Sequence, residues 1–485
     1  MNILLVSSEV APLAKVGGLG DMSAALPRAL SAAGHDVRVV MPYYSRVRRS
    51  GIAVEDGISN LSVTLGPHQV HFSVDVATLP DSDVPIYLVR CNDLFERENI
   101  YGDGGDEHLR FAVLNWAALM IAQALQFKPD VIHINDWQTS LIPLLLRTMF
   151  AWDDLFAQTK TVLTIHNLGH QGMFPAHTLW ETGLSKAAHL FHQDQLDEGR
   201  LSFLLTGIMY ADAITTVSPT YAREILSPEH GVGLDPFLRA RIDALFGILN
   251  GIDTTIWNPA IDPHLPANYT AGDLSGKALC KEALLNISNL PYDPSVPVYG
   301  IVSRLVWQKG FELCEQALPY LLSNRRFQVV ILGTGESRYE HFFHRLRSIY
   351  PTRVGFHRTF SEPLAHLVEA GSDFFLMPSR YEPCGLNQMF SLAYGTPPIV
   401  HSTGGLADTV KLWHPESRTG NGFIFDNFNA EALGWAIDYS LSTYGDYGQE
   451  AQERMAALRV NGMKADHGLA KMATEYEAVY RFVLG

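Results

Sequence analysis

Short apolar, β-branched runs punctuate the chain, and longer stretches with apolar residues at helical spacing separate them. The first set comprises Asn2–Ser8, Val37–Tyr43, Ile86–Arg90, Val131–Asn135, Val162–His166 and Ala213–Val217. The second comprises Gly247–Asn250, Val298–Ser303, Gln328–Gly333, Arg353–His357, Phe374–Pro378 and Pro398–His401. A parallel strand covered on both faces reads as such an apolar run, without alternation. Strand–helix alternation twice over predicts an α/β protein with two doubly wound, Rossmann-like domains. Ligands of such folds bind at the carboxyl ends of the strands, so a deep cleft that the two domains face is the expected site. The expected limits are residues 1–247 for the first domain, 248–462 for the second, and 463–485 for a C-terminal helix returning to the first. Trp257–Leu274, rich in Pro, Asp and Asn, reads as an excursion before the second sheet. The longest apolar stretch, Val113–Leu125, is broken by Asn115 and Gln123, which predicts a buried helix and no membrane span.

Length and composition narrow the class. At 485 residues and 47% hydrophobic, the chain is too long for one ordinary domain and fits a soluble enzyme. A net charge of -15 argues against nucleic acid or an anionic membrane as partner. It leaves room for an anionic small substrate held by a few focused cations. Cys91, Cys280, Cys314 and Cys384 are too scattered for a zinc clamp or a disulfide framework. They suit a reducing compartment, and the N-terminus reads as a first strand with no basic leader, so a cytoplasmic location is expected.

Six stretches could carry chemistry. Lys15-Val-Gly-Gly-Leu-Gly-Asp21 follows the first strand and opens a helix. Gly17 and Gly18 let a ligand approach the backbone, the helix start offers N–H groups, and Lys15 adds charge. That suits a pyrophosphate, and equally a tight turn with a surface lysine. Ser303-Arg-Leu-Val-Trp-Gln-Lys-Gly310 places Arg304 and Lys309 after the first strand of the second sheet, as a diphosphate clamp or as solvated surface charges. Ser379-Arg-Tyr-Glu-Pro-Cys-Gly-Leu-Asn-Gln388 holds Glu382 before a proline, where it could accept bonds from sugar hydroxyls or cap a helix. Gly385, Leu386 and Asn387 could offer amides to a phosphate or a sugar, while Cys384 suits packing better than reaction. His166, in Thr164-Ile-His-Asn-Leu168, reads as a ligand or as a satisfied core residue. Asp136, Trp137 and Gln138 could line a carbohydrate surface, or Trp137 could be core. Thr403-Gly-Gly-Leu-Ala-Asp408 is another glycine turn entering a helix.

In order and spacing, these motifs resemble those of the bacterial glycogen synthases and plant starch synthases over essentially the whole chain. Lys-x-Gly-Gly-Leu near the N-terminus together with Glu-Pro-Cys-Gly-Leu is specific to that family. The resemblance implies a GT-B fold, ADP-glucose as donor, glycogen or another α-1,4-glucan as acceptor, retention at the anomeric carbon, and neither metal nor cofactor. It implies that Glu382, His166, Arg304 and Lys309 are catalytic. It puts Lys15, Gly18, Asp21, Asn250, Phe360, Cys384, Gly385, Leu386 and Thr403 on the donor, Phe360 replacing a tyrosine that stacks on adenine. Asp136, Trp137, Gln138 and Asn167 fall to the acceptor. Three positions depart from the family: Leu205 stands where a lysine is common, Asn387 where threonine is frequent, and Gln138 where many relatives have histidine. Two alternatives stand beside this reading. One is a related transferase using UDP-glucose or another acceptor, and the other is a non-catalytic glucan-binding homologue, which Leu205 alone favours. Intact Lys15, Arg304, Lys309 and Glu382 speak against the second.

Overall fold

The computed structural model describes residues 1–102 and 104–485. The chain divides into two compact units, Met1–Gly251 with Leu469–Gly485, and Ile252–Gly468. In the first unit the strands are β1 (Asn2–Val6), β2 (Asp36–Pro42), β3 (Glu55–Leu65), β4 (His68–Thr78), β5 (Pro85–Arg90), β6 (Val131–Asn135), β7 (Lys160–Ile165), β8 (Met173–Pro175), β9 (Arg200–Ser202), β10 (Ala213–Thr216) and β11 (Leu245–Gly247). Nine of these form one sheet in the order β11-β10-β7-β6-β1-β2-β5-β4-β3, and β8 pairs with β9 alone. The pairing is parallel from β11 to β5, and β4 then runs antiparallel to both of its neighbours, β5 and β3. Ile3, Leu5, Val39, Leu88, Ile132 and Leu163 are fully buried, as expected of strands covered on both faces.

Chain order reverses between β1 and β6, so the loops after these two strands lie at a topological switch point. The C-terminal helix Leu469–Leu484 packs on this unit through Tyr476 and Tyr480. His133 of β6 bonds the Tyr480 hydroxyl at 2.7 Å and Thr164 Oγ1 at 2.6 Å.

The second unit holds β12 (Val298–Val302), β13 (Gln328–Leu332), β14 (Val354–His357), β15 (Phe374–Met377), β16 (Pro398–His401) and β17 (Phe423–Phe425). Their order is β14-β13-β12-β15-β16-β17, all parallel. This is the Rossmann order, with its switch point between β12 and β15. The excursion after Ile252 is tied down by Trp257, stacked between His366 and Phe390 at 3.9 and 3.8 Å.

One expectation needs correction. Gly247–Asn250 does not open the second sheet. The strand there is Leu245–Gly247, and it closes the edge of the first sheet beside β10. The hairpin β3–β4 and the short β17 were not foreseen.

Candidate functional site

In the first unit the site grows from the carboxyl ends of β1, β6 and β7. The loop after β1 is held by Glu9, 3% exposed, whose Oε2 accepts the Val16 and Gly17 amides at 2.6 and 3.2 Å. The Tyr101 hydroxyl donates to the other oxygen at 2.6 Å. The helix then starts at Gly18, with Gly17 as its cap. The Val16 and Gly17 amides are therefore committed to Glu9, while the helix start at Gly18 is not. Lys15 and Gly18 stay exposed, and Lys15 Nζ reaches Asp21 at 2.6 Å.

Asp136 sits just past β6 with φ 54°, an unusual conformation for a residue other than glycine. One of its carboxylate oxygens accepts the His166 amide at 2.7 Å. Burial raises its pKa to about 7, against the opposing pull of the His166 and Asn167 amides. The Asn135 amide nitrogen donates to the Val6 carbonyl at 3.1 Å, so its oxygen faces His166 Nε2 at 3.0 Å. Nε2 must then carry the proton. Burial lowers the His166 pKa to about 3, so the ring is neutral at physiological pH.

Asn167 is partly buried, with its side-chain oxygen accepting the Gly169 amide at 3.0 Å. Asn250 and Gln138 are 6% and 5% exposed, and Asn250 Oδ1 and Gln138 Oε1 have no partner among the described residues. Buried acceptors are rarely left so, which makes both suited to a ligand's hydroxyl or amine. Trp137 is different. It is 7% exposed and packs edge-on against Phe111, Phe174 and Phe203 at 5.0, 5.5 and 6.3 Å. It is a core residue with no open face for a sugar.

In the second unit the switch point brings together the loops after β12 and β15. Lys309 Nζ donates to Glu382 Oε2 at 2.5 Å, and Ser379 Oγ donates to the same oxygen at 3.0 Å. The Lys309 and Glu382 side chains are 19% and 8% exposed. Arg304 is exposed, and its guanidinium has no hydrogen bond or ion pair among the described residues. Beside them, Arg380 stacks over Trp307 at 4.5 Å and pairs with Glu312.

Two glycines make this convergence possible. A Cβ on Gly310, at φ 71°, would fall 1.9 Å from the Pro378 carbonyl oxygen. One on Gly404, at φ 43°, would fall 2.0 Å from that of Glu382. Both positions need positive φ and a bare backbone. Thr403 precedes the helix Gly404–Thr409, and Leu386 precedes Asn387–Ala393, with Gly385 left-handed at φ 72°. Cys384 is 5% exposed, in keeping with packing. Phe360 projects into solvent at 90% exposure.

A family model described as the starch synthase catalytic domain matches residues 2–240, and one for glycosyl transferases group 1 matches 287–457. The chain is 46% identical over 484 residues to a glycogen synthase of Myxococcus xanthus, covering 99% of each. It is also 46% identical over 492 residues to a glycogen synthase of Anaeromyxobacter dehalogenans, again covering 99% of each. The chain belongs to the glycogen synthase and starch synthase family. Its fold matches the catalytic domain of starch synthase IV from Arabidopsis thaliana, a structure bound to ADP and acarbose, with a TM-score of 0.91 at 31% identity, covering 100% of this chain and 99% of that one. A sucrose-phosphate synthase of Thermosynechococcus elongatus shares the fold alone, at TM-score 0.61 and 18% identity over 99% of this chain and 98% of that one. As a member of the family the chain is a glycosyltransferase with two Rossmann-like domains in the GT-B arrangement.

Family membership sharpens the three departures. Leu205, in the family's lysine position, is 1% exposed inside the helix Phe203–Tyr210. Asn387, in place of threonine, donates to the Val302 carbonyl at 2.6 Å and pins its helix to the end of β12. Gln138, in place of histidine, carries an orphan buried oxygen, as Asn250 does. Among the described residues no helix is long and apolar enough to cross a membrane, and no three His, Cys, Asp or Glu side chains are grouped to hold a metal ion.

Proposed function

We propose that this chain acts as a glycogen synthase, moving glucose from ADP-glucose to the non-reducing end of an α-1,4-glucan with retention of configuration. The observation that carries the reading is the 46% identity to bacterial glycogen synthases over 99% of both chains. The bond from the anomeric carbon to the diphosphate breaks, and a bond to the acceptor's hydroxyl oxygen forms. That hydroxyl's proton leaves with the diphosphate as ADP.

Negative charge builds on the diphosphate and positive charge on the anomeric carbon. Arg304, with no internal partner, is available to the first. Lys309 and Glu382 are paired, which holds both groups side by side. Lys309 neutralises the diphosphate, and Glu382 accepts bonds from glucose hydroxyls while supporting the positive anomeric carbon. The Gly385 and Leu386 amides and Thr403 hold the donor beside Glu382, and Cys384 shapes that turn from its buried position. The exposed ring of Phe360 suits stacking on adenine.

Lys15, Gly18 and Asp21 act on the donor. The orphan oxygen of Asn250 accepts from its sugar. Neutral His166 lies against the transferred glucose without adding charge at the cationic carbon. Asp136, Gln138 and Asn167 face the acceptor, and Trp137 supports them from the core. Turnover of ADP-glucose and UDP-glucose in one mixture tests the donor. A clear preference for ADP-glucose is expected, and equal or reversed preference rejects the assignment.

A further inference from the structure

The second unit has a cavity of about 440 Å³ that includes none of Arg304, Lys309, Phe360 or Glu382. Its lining includes Glu340, His341, His344, Arg347, Phe356 and Arg358. One wall is the helix Ser337–Ile349, and the other is β14, the edge strand of the sheet. His341, His344 and Arg347 recur every three residues, so they stand along one face of the helix.

The charge balance of the cavity is lopsided. Its carboxylate, Glu340, is occupied twice: it takes Arg358 at 2.8 Å and the Gly335 amide at 3.0 Å. Among the described residues His344 and Arg347 form no ion pair, and His341 feels Glu340 only through its charge, after the Gly335 amide and Arg358. The neighbouring His357 has its pKa lowered, by burial first and by Arg347 second. A basic cavity of this kind stands out on a chain of net charge -15. Phe356, buried in β14, supplies an apolar floor. The volume lies in the range of small-molecule pockets and exceeds what a bare phosphate ion fills.

The cavity is also tied to the donor loop. Glu340 holds Gly335, and the adjoining Glu336 amide donates to the Leu305 carbonyl at 2.7 Å. Glu336 Oε1 accepts the Trp307 amide at 2.8 Å, and Leu305 donates to the Thr334 carbonyl at 2.8 Å. Leu305 and Trp307 lie between Arg304 and Lys309 in sequence.

We propose that this cavity is a binding site for an organic phosphomonoester, and that its occupancy alters donor affinity through the Gly335–Leu305 contact. The phosphate meets Arg347, His341 and His344, and the organic part lies on Phe356. Arg347 and His344 are exposed and make no side-chain bonds among the described residues, so Arg347→Ala/His344→Ala leaves folding and basal turnover intact. Calorimetry on the full chain uses a hexose phosphate and inorganic phosphate as probes. The hexose phosphate should bind saturably and about tenfold tighter than phosphate, and the double variant should weaken it about 10–100-fold, the worth of lost charge-assisted bonds. Lys309→Ala should leave that binding in place. In kinetics, the hexose phosphate should shift the donor KM of the wild type and not of the double variant. Binding that survives in the double variant, or vanishes only in Lys309→Ala, overturns the site. So does a probe that binds no tighter than phosphate. Saturable binding with an unchanged KM overturns the link to the donor loop.

Discussion

Replacing Lys309 separates what the Lys309–Glu382 pair does for stability from what it does for turnover. Lys309→Ala leaves the Glu382 carboxylate, 8% exposed, with Ser379 Oγ as its remaining side-chain donor. Breaking a fully buried pair by removing one partner costs about 3–5 kcal/mol. Lys309 is about a fifth exposed, so water recovers part of this, and a loss of about 2–4 kcal/mol is expected. Adding Glu382→Gln removes the stranded charge, so the double variant should regain about half or more of that loss. Turnover should behave otherwise. Each single variant should lose on the order of 10²-fold in kcat, the size of one transition-state contact, and the double variant should stay at that level or below. Urea unfolding gives the stabilities, and initial rates of ADP release give kcat. A double variant that recovers activity along with stability would refute the reasoning, because the pair would then be structural only. A Lys309→Ala protein with wild-type kcat would refute it from the other side.

Other consequences are as direct. Glu9→Ala removes the acceptor of the Val16 and Gly17 amides and one of the two partners of the Tyr101 hydroxyl, which keeps Ser8 Oγ at 2.9 Å. The half-exposed Val16 amide can turn to water, so a loss of about 1–3 kcal/mol in all is expected. The variant should lower kcat/KM about tenfold or more by loosening the Lys15 loop, and an unchanged value with an unchanged melting temperature removes Glu9 from that role. Leu205→Lys puts an amine among buried apolar neighbours and should lower the melting temperature without raising activity; a more active, equally stable protein would mean that the lysine reaches the donor. His133 and His166 have pKa values of about 3 when folded, below the ordinary value of 6.5, so the unfolded chain takes their protons first. Their contribution to stability is present above pH of about 6.5 and is lost as pH falls toward about 3. His133→Asn should flatten that part of the stability curve, and an unaltered curve contradicts the assignment.

The parallel strands were legible because burial on both faces writes itself as unbroken apolar residues, as in Ile3–Val6 and Val329–Leu332. The hairpin β3–β4 escaped because Glu55–Leu65 is largely exposed and carries Glu, Asp, Gly, Ser and Asn among its apolar residues. The sequence pattern points to a strand at Gly247–Asn250 in the second sheet, whereas the strand is Leu245–Gly247 in the first. Its pairing with Ile214–Thr216 is a contact across the chain that no local pattern records. β17 is three residues long, too short for periodicity to speak.

In the candidate site, motif order singled out Arg304, Lys309 and Glu382, but not that two of them bond each other, which depends on the β12–β15 neighbourhood. Glu9 gave no signal, being a single carboxylate after a strand. An acidic residue just before a glycine-rich turn with free amides would have been the clue. Trp137 was ambiguous because a strand-end tryptophan serves a core and a sugar surface alike. Only the packed rings around it decide.

The central claim is transfer of glucose to a glucan chain with loss of ADP. The most direct measurement incubates the protein with ADP-glucose and a short linear α-1,4-glucan, counts ADP released, and follows chain length and anomeric configuration of the product by chromatography and proton NMR. The account predicts one ADP for each glucose added, every new linkage α-1,4. ADP release without chain growth, or new linkages of β configuration, would contradict it.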